Sequence, residues 1–222
     1  MGSVARQPLQ GQRPAQGLAL SSRATHIAPA PRRSAGPARR GRYSAVAMGL
    51  HWAIASLLLT NLALGFFGAS LDGADKLFVI SGIHKPIGMT VLVLSIARAI
   101  WRLLHRPPPY SAAVGPLQRR VAGAVHGLLY GLMIGLPISG WWMSSALPAR
   151  HAFTYFGLFP LPFLPVPQAM WIAVAADQVH MTLGWAVVCA IALHVTAALK
   201  HQFFDRDDVM ARMAFWMADR NA

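Results

Sequence analysis

The sequence predicts an all-α fold: a bundle of four transmembrane helices with both chain ends on the cytoplasmic side, preceded by a disordered basic tail. Three observations predict it. The composition is 55% hydrophobic and 12% charged, whereas soluble domains carry about 25% charged residues. Four stretches, at about 48–69, 84–104, 121–143 and 178–200, are apolar over the ~20 residues that a helix needs to cross ~30 Å of hydrocarbon. Runs such as VLVLSIA and AVVCAIAL lack the alternating polarity of a membrane β-strand, which leaves helices.

Residues 1–42 are rich in Arg, Pro, Ala, Gly, Gln and Ser and hold no acidic residue. Such a segment buries too little apolar surface to fold, so it reads as a disordered extension to which no chemistry is assigned. Residues 43–205 form the four-helix domain, and 206–222 a cytoplasmic C-terminal tail. Between the first two spans, residues 70–82 contain Asp72, Gly73 and Asp75, which suit turns. The three prolines of RPPPYSAAVGPLQRR end the second helix and leave an extended connection. The longest connection, residues 144–177, contains FGLFPLPFLPVPQAMW. It is too proline-broken to span, yet apolar enough to lie at the interface and cover the outer end. Trp141, Trp142, Tyr155 and Trp171 fit an interfacial aromatic belt.

The net charge of +13 comes from residues that sort by side, and membrane topology rather than nucleic-acid binding explains them. Eight arginines precede the first span, Arg102, Arg106, Arg119 and Arg120 flank the second connection, and Lys200, Arg206, Arg212 and Arg220 follow the fourth span. The opposite connections hold Lys76, Lys85 and Arg150, offset by Asp72, Asp75 and Asp177. The positive-inside rule therefore places both ends in the cytoplasm, with lipid as the first partner. The single cysteine, Cys189, rules out a CxxCH haem attachment, a four-cysteine iron–sulfur site and a CxxC redox pair.

Histidine is the anomaly. Five of nine, His51, His84, His126, His180 and His194, lie within or at the edges of spans, where an ionisable side chain is costly unless it faces a partner. His180 and His194 are 14 residues apart, which is about 40° around a helix and ~21 Å along it. They share one face at two membrane depths. The first helix enters from the cytoplasm with His51 at the depth of His194, and the second starts outside with His84 at the depth of His180. One histidine pair thus forms in each leaflet. Two imidazoles fill both axial positions of a haem iron and leave none open, which suits electron transfer. Zinc or copper would want more ligands, and no carboxylate or cysteine completes either pair. Arg98, 14 residues after His84, reaches the inner level, where it suits a haem propionate; Lys85 is the corresponding candidate outside.

These residues resemble the bacterial cytochrome b561 family of four-helix, di-haem inner-membrane proteins. The resemblance runs through RYSAVAMGLHWAIA, IHKPIGMTVLVLSIARAIWRL, VHGLLYGLMIGLPISGWWM and HMTLGWAVVCAIALHVTAALKHQFFDRDDVMARM, over about residues 42–212. It implies two b-type haems, ligated by His51 with His194 and by His84 with His180, in a bacterial inner-membrane protein of the respiratory chain. It further implies electron exchange with membrane quinone such as ubiquinone, and, as in at least one member, superoxide oxidation coupled to quinone reduction. The long basic tail departs from the family pattern. His126, at the inner start of the third helix, is the rival ligand, and His126 and His201 are the candidates for hydrogen-bonding a quinone.

The leading expectation is a haem relay between an outer donor and quinone, with no catalytic side chain assigned. A second reading is an anchor subunit working with other respiratory subunits of a dehydrogenase or hydrogenase. A third, of another class, is a haem-free, histidine-lined transporter, and colour discriminates it.

Overall fold

The computed structural model describes residues 41–110, 114–149 and 154–214, together with Gly2. The rest of the N-terminal tail, including His26, and Arg150 and His151 lie outside the described residues. Four helices are long and apolar enough to cross a membrane: α1 (Ala45–Ala69), α2 (Gly73–Leu104), α3 (Pro116–Ala146) and α4 (Met170–Asp205). A two-stranded antiparallel ribbon, β1 (Thr154–Tyr155) with β2 (Phe159–Pro160), lies between α3 and α4.

The helices outrun the apolar stretches that announce them, because backbone hydrogen bonding continues where the hydrophobic run stops. The largest correction concerns residues 70–82. The connection is three residues long, and the chain is helical again from Gly73, whose φ of +57° supplies the reversal that L side chains rarely adopt. Within α2, residues Phe78–His84 form a π-helical turn, and the Lys85 N–H bonds the Ile80 carbonyl five residues back. Pro86 has no N–H and its ring excludes the carbonyl four residues earlier, so the ladder widens ahead of it instead of breaking. The connection expected at 144–177 shrinks to 147–169, pinned at its roots by the bond from Ala169 N–H to the Ala146 carbonyl.

One end of the bundle, here the base, carries residues 41–44, 105–110, 114–115 and 206–214; the other, the cap end, carries 70–72, 147–149 and 154–169. At the base, α1 starts on Ser44, whose hydroxyl accepts from Ala47 N–H. Residues 206–214 do not trail away as a tail but fold under the base. Tyr43 N–H bonds the Arg212 carbonyl, the Arg42 guanidinium bonds the Ala214 carbonyl, and the Trp52 indole bonds the Met213 carbonyl. At the cap end, the Trp141 indole bonds the Pro162 carbonyl and Tyr155 hydroxyl meets Thr90 hydroxyl, holding the loop against α2 and α3.

The buried core joins Ile54 and Leu58 of α1, Ile87 and Val91 of α2, Leu129 to Leu136 of α3, and Val187 and Ala190 of α4. In every helix these residues fall between two polar levels, one toward each end. Large apolar side chains such as Leu59, Val93, Leu128 and Leu193 point outward, as they do in a bundle whose solvent is lipid.

Candidate functional site

At the cap end, α2 and α4 bring His84 and His180 together with ring centres 6.2 Å apart and planes at 86°. Each ring is held from behind. His84 Nδ1 lies 3.0 Å from the Asn61 carbonyl, and His180 Nδ1 lies 3.0 Å from the Leu136 carbonyl and 3.0 Å from the Ser139 hydroxyl. A carbonyl only accepts, so Nδ1 carries the proton in both rings and Nε2 keeps its lone pair free. An acceptor bonded to the far ring nitrogen is what orients imidazole ligands of metals. A cavity of about 440 Å³ opens around the pair, lined also by Asn61, Gly65, Gly140 and Lys85. Both glycines are required by close approach: a Cβ at Gly65 would stand 2.9 Å from His84 Cε1, and one at Gly140 would stand 2.9 Å from His180 Cε1.

At the base, α1 and α4 bring His51 and His194 to the same ring separation, 6.2 Å, with planes at 73°. The surroundings differ. Arg98 Nη1 donates to His51 Nδ1 at 2.7 Å, which puts the proton of a neutral ring on Nε2 and leaves neither nitrogen a free lone pair. The Arg98 guanidinium also lies 5.8 Å from the centre of the Tyr130 ring. His126 stands third in the group, its ring centre 5.4 Å from that of His194. Its buried Nδ1 makes no hydrogen bond of normal geometry. His201 belongs elsewhere: at the end of α4 its Nδ1 meets Asp207 at 2.6 Å and Asp205 at 3.3 Å.

The residues expected from the sequence to face one another therefore do so, in two sets on two levels. The residue types and ring separations suit a bis-imidazole haem at the cap end, and at the base they do so once Arg98 is off His51 Nδ1. With a metal–nitrogen bond of ~2 Å on either side, two imidazoles sharing one ion have ring centres about 6 Å apart. The sequence reading missed Gly65, Gly140, the Asn61 and Leu136 carbonyls and the contact of Arg98 with His51. A signal for the glycines was present. Gly65 follows His51 by 14 residues and Gly140 follows His126 by 14, the interval that separates His84 from Arg98 and His180 from His194. All four helices thus repeat a site-facing position at one spacing.

Residues 42–216 match the family model described as prokaryotic cytochrome b561. The chain is 32% identical to cytochrome b561 homolog 2 of Escherichia coli (strain K12) over 78% of this chain and 90% of the relative. It is 28% identical to the probable superoxide oxidase CybB of Yersinia pestis, over 78% and 95% of the two chains. Cytochrome b562 of Cereibacter sphaeroides is 26% identical over 77% and 94%. The chain belongs to the prokaryotic cytochrome b561 family, whose membership implies a haem b-binding membrane cytochrome.

Proposed function

We propose that this protein is a di-haem b cytochrome that carries electrons across the bacterial inner membrane between a donor at the cap end and the quinone pool. His84 and His180 hold one haem, and His51 and His194 the other. The observation that carries the reading is the equal 6.2 Å separation of the two histidine pairs at opposite ends of the bundle. Bound there, haems would supply one-electron chemistry.

The chain's own residues divide the remaining work. At the cap end, the Asn61 and Leu136 carbonyls keep both Nε2 atoms bare and orient the rings. At the base, His51 would ligate with its Nδ1 released by Arg98, and the Arg98 guanidinium is the group that would pair with a propionate. The base faces the cytoplasm, because Arg102, Arg106, Arg119, Arg120, Lys200, Arg206 and Arg212 gather there. Lys76 and Lys85 line the cap cavity with Asp177 and favour an anionic one-electron donor. Superoxide, the substrate named for the Yersinia relative, has that charge. His126, beside His194 in the bundle interior, is the residue placed to hydrogen-bond a quinone.

The test is reoxidation. Protein purified in mild detergent and reduced with stoichiometric dithionite is expected to lose its reduced haem absorption on addition of ubiquinone-1. Haem that stays reduced in the presence of excess ubiquinone-1 would remove quinone from the account.

A further inference from the structure

The base holds a second polar feature, which shares Arg98 with the base histidine site. Between the start of α1 and the end of α2 lies a cleft of about 80 Å³, lined by Arg98, Arg102 and Arg106 together with Tyr43 and Ser44, and no carboxylate lines it. Three guanidinium groups around so small a space repel one another, and the acidic residues of the base among the described residues are engaged elsewhere. Lys200 pairs with Asp205, His201 with Asp207, and Arg212 with Asp208. Arg98 is turned to His51. Arg102 and Arg106 make neither hydrogen bond nor ion pair with the described residues.

Position narrows the ligand. Arg102 and Arg106 sit at the last turn of α2 and just beyond it, where the span meets the headgroup region. Their neighbours Ile100, Leu103 and Leu104 are 50%, 84% and 74% exposed and face acyl chains rather than protein. The Trp101 indole, bonded to the Ser44 hydroxyl at 3.3 Å, closes one wall. An anion with an apolar tail can place its charge in the cleft and its chains along that apolar surface. Guanidinium forks match phosphate oxygens through paired, charge-assisted hydrogen bonds, and basic pockets at the ends of transmembrane helices are suited to anionic headgroups. A volume of about 80 Å³ admits one such group.

We propose that this cleft is a binding site for the phosphate of an anionic phospholipid, with Arg102 and Arg106 as its principal donors. The lipid neutralises the end of α2 and ties α1 to α2 at the base. This inference does not depend on how many haems the protein carries.

Haem-loaded protein reconstituted in nanodiscs of defined composition tests it. Native mass spectrometry after release into detergent is expected to show dioleoylphosphatidylglycerol retained in preference to dioleoylphosphatidylcholine. Arg102→Gln and Arg106→Gln are each expected to weaken that retention roughly tenfold, with haem content unchanged. Arg120→Gln, a base arginine outside the cleft, is expected to leave it unchanged. Retention that falls equally for all three variants would mean a diffuse charge effect and overturn the site. Loss of haem from the Arg102 and Arg106 variants without loss of lipid would assign the cleft to a propionate carboxylate instead, and overturn it as well.

Discussion

The two ends of the bundle present the same pair of imidazoles at the same separation in different surroundings. At the cap end both rings are clamped through Nδ1 by backbone carbonyls, both Nε2 lone pairs are free, and glycine leaves room beside each ring. At the base His51 is engaged by Arg98, and His194 has a further histidine beside it. A site held by main-chain acceptors is fixed by the helix itself. A site held by an arginine is set by a side chain that can be exchanged for another partner.

Substitutions that act on one end alone sharpen this contrast. Filling the cap site has the largest expected effect. Gly140→Leu places a branched side chain where even a Cβ comes within 2.9 Å of His180, and overpacking of a built core is costly. The variant is expected to fold, to lose the cap haem, and to carry one haem per chain by pyridine haemochrome assay.

Arg98→Gln acts at the base. Removing a guanidinium that pairs with a carboxylate forfeits about 1.5–3 kcal/mol, so haem transfer to apomyoglobin is expected to become roughly tenfold faster for one haem and unchanged for the other. Equal acceleration of both would erase the distinction between the ends. The smallest effect is expected from Ser139→Ala, because His180 Nδ1 keeps the Leu136 carbonyl when the hydroxyl is gone. Both haems are expected to remain, with the cap midpoint potential shifting by less than ~60 mV, the equivalent of a tenfold change for one electron.

Much of this architecture was legible in the sequence, and the reason is the membrane. Hydrocarbon forces every backbone group into helix, so four apolar runs specify four helices, and a 14-residue interval specifies two levels on one face. What escaped lies in the main chain and in small residues. The Asn61 and Leu136 carbonyls carry no side-chain signal, since any residue offers a carbonyl. Gly65 and Gly140 read as ordinary glycines in apolar runs until the 14-residue interval from His51 and His126 is noticed. The early start of α2 was hidden because Asp72, Gly73 and Asp75 have the composition of a turn, while only the φ of Gly73 turns the chain. The contact of Arg98 with His51 was half legible: its level followed from its spacing to His84, but the spacing does not say which group at that level the guanidinium meets.

In the proposed relay four histidines work as two pairs and the fifth belongs to neither. It is tested most directly by haem stoichiometry and reduced-minus-oxidised spectra of His51→Ala, His84→Ala, His126→Ala, His180→Ala and His194→Ala. The account predicts that His84→Ala and His180→Ala lose the same spectral component, that His51→Ala and His194→Ala lose the other, and that His126→Ala keeps both. Loss of a haem from His126→Ala with retention in His51→Ala would contradict it, and would make His126 the partner of His194.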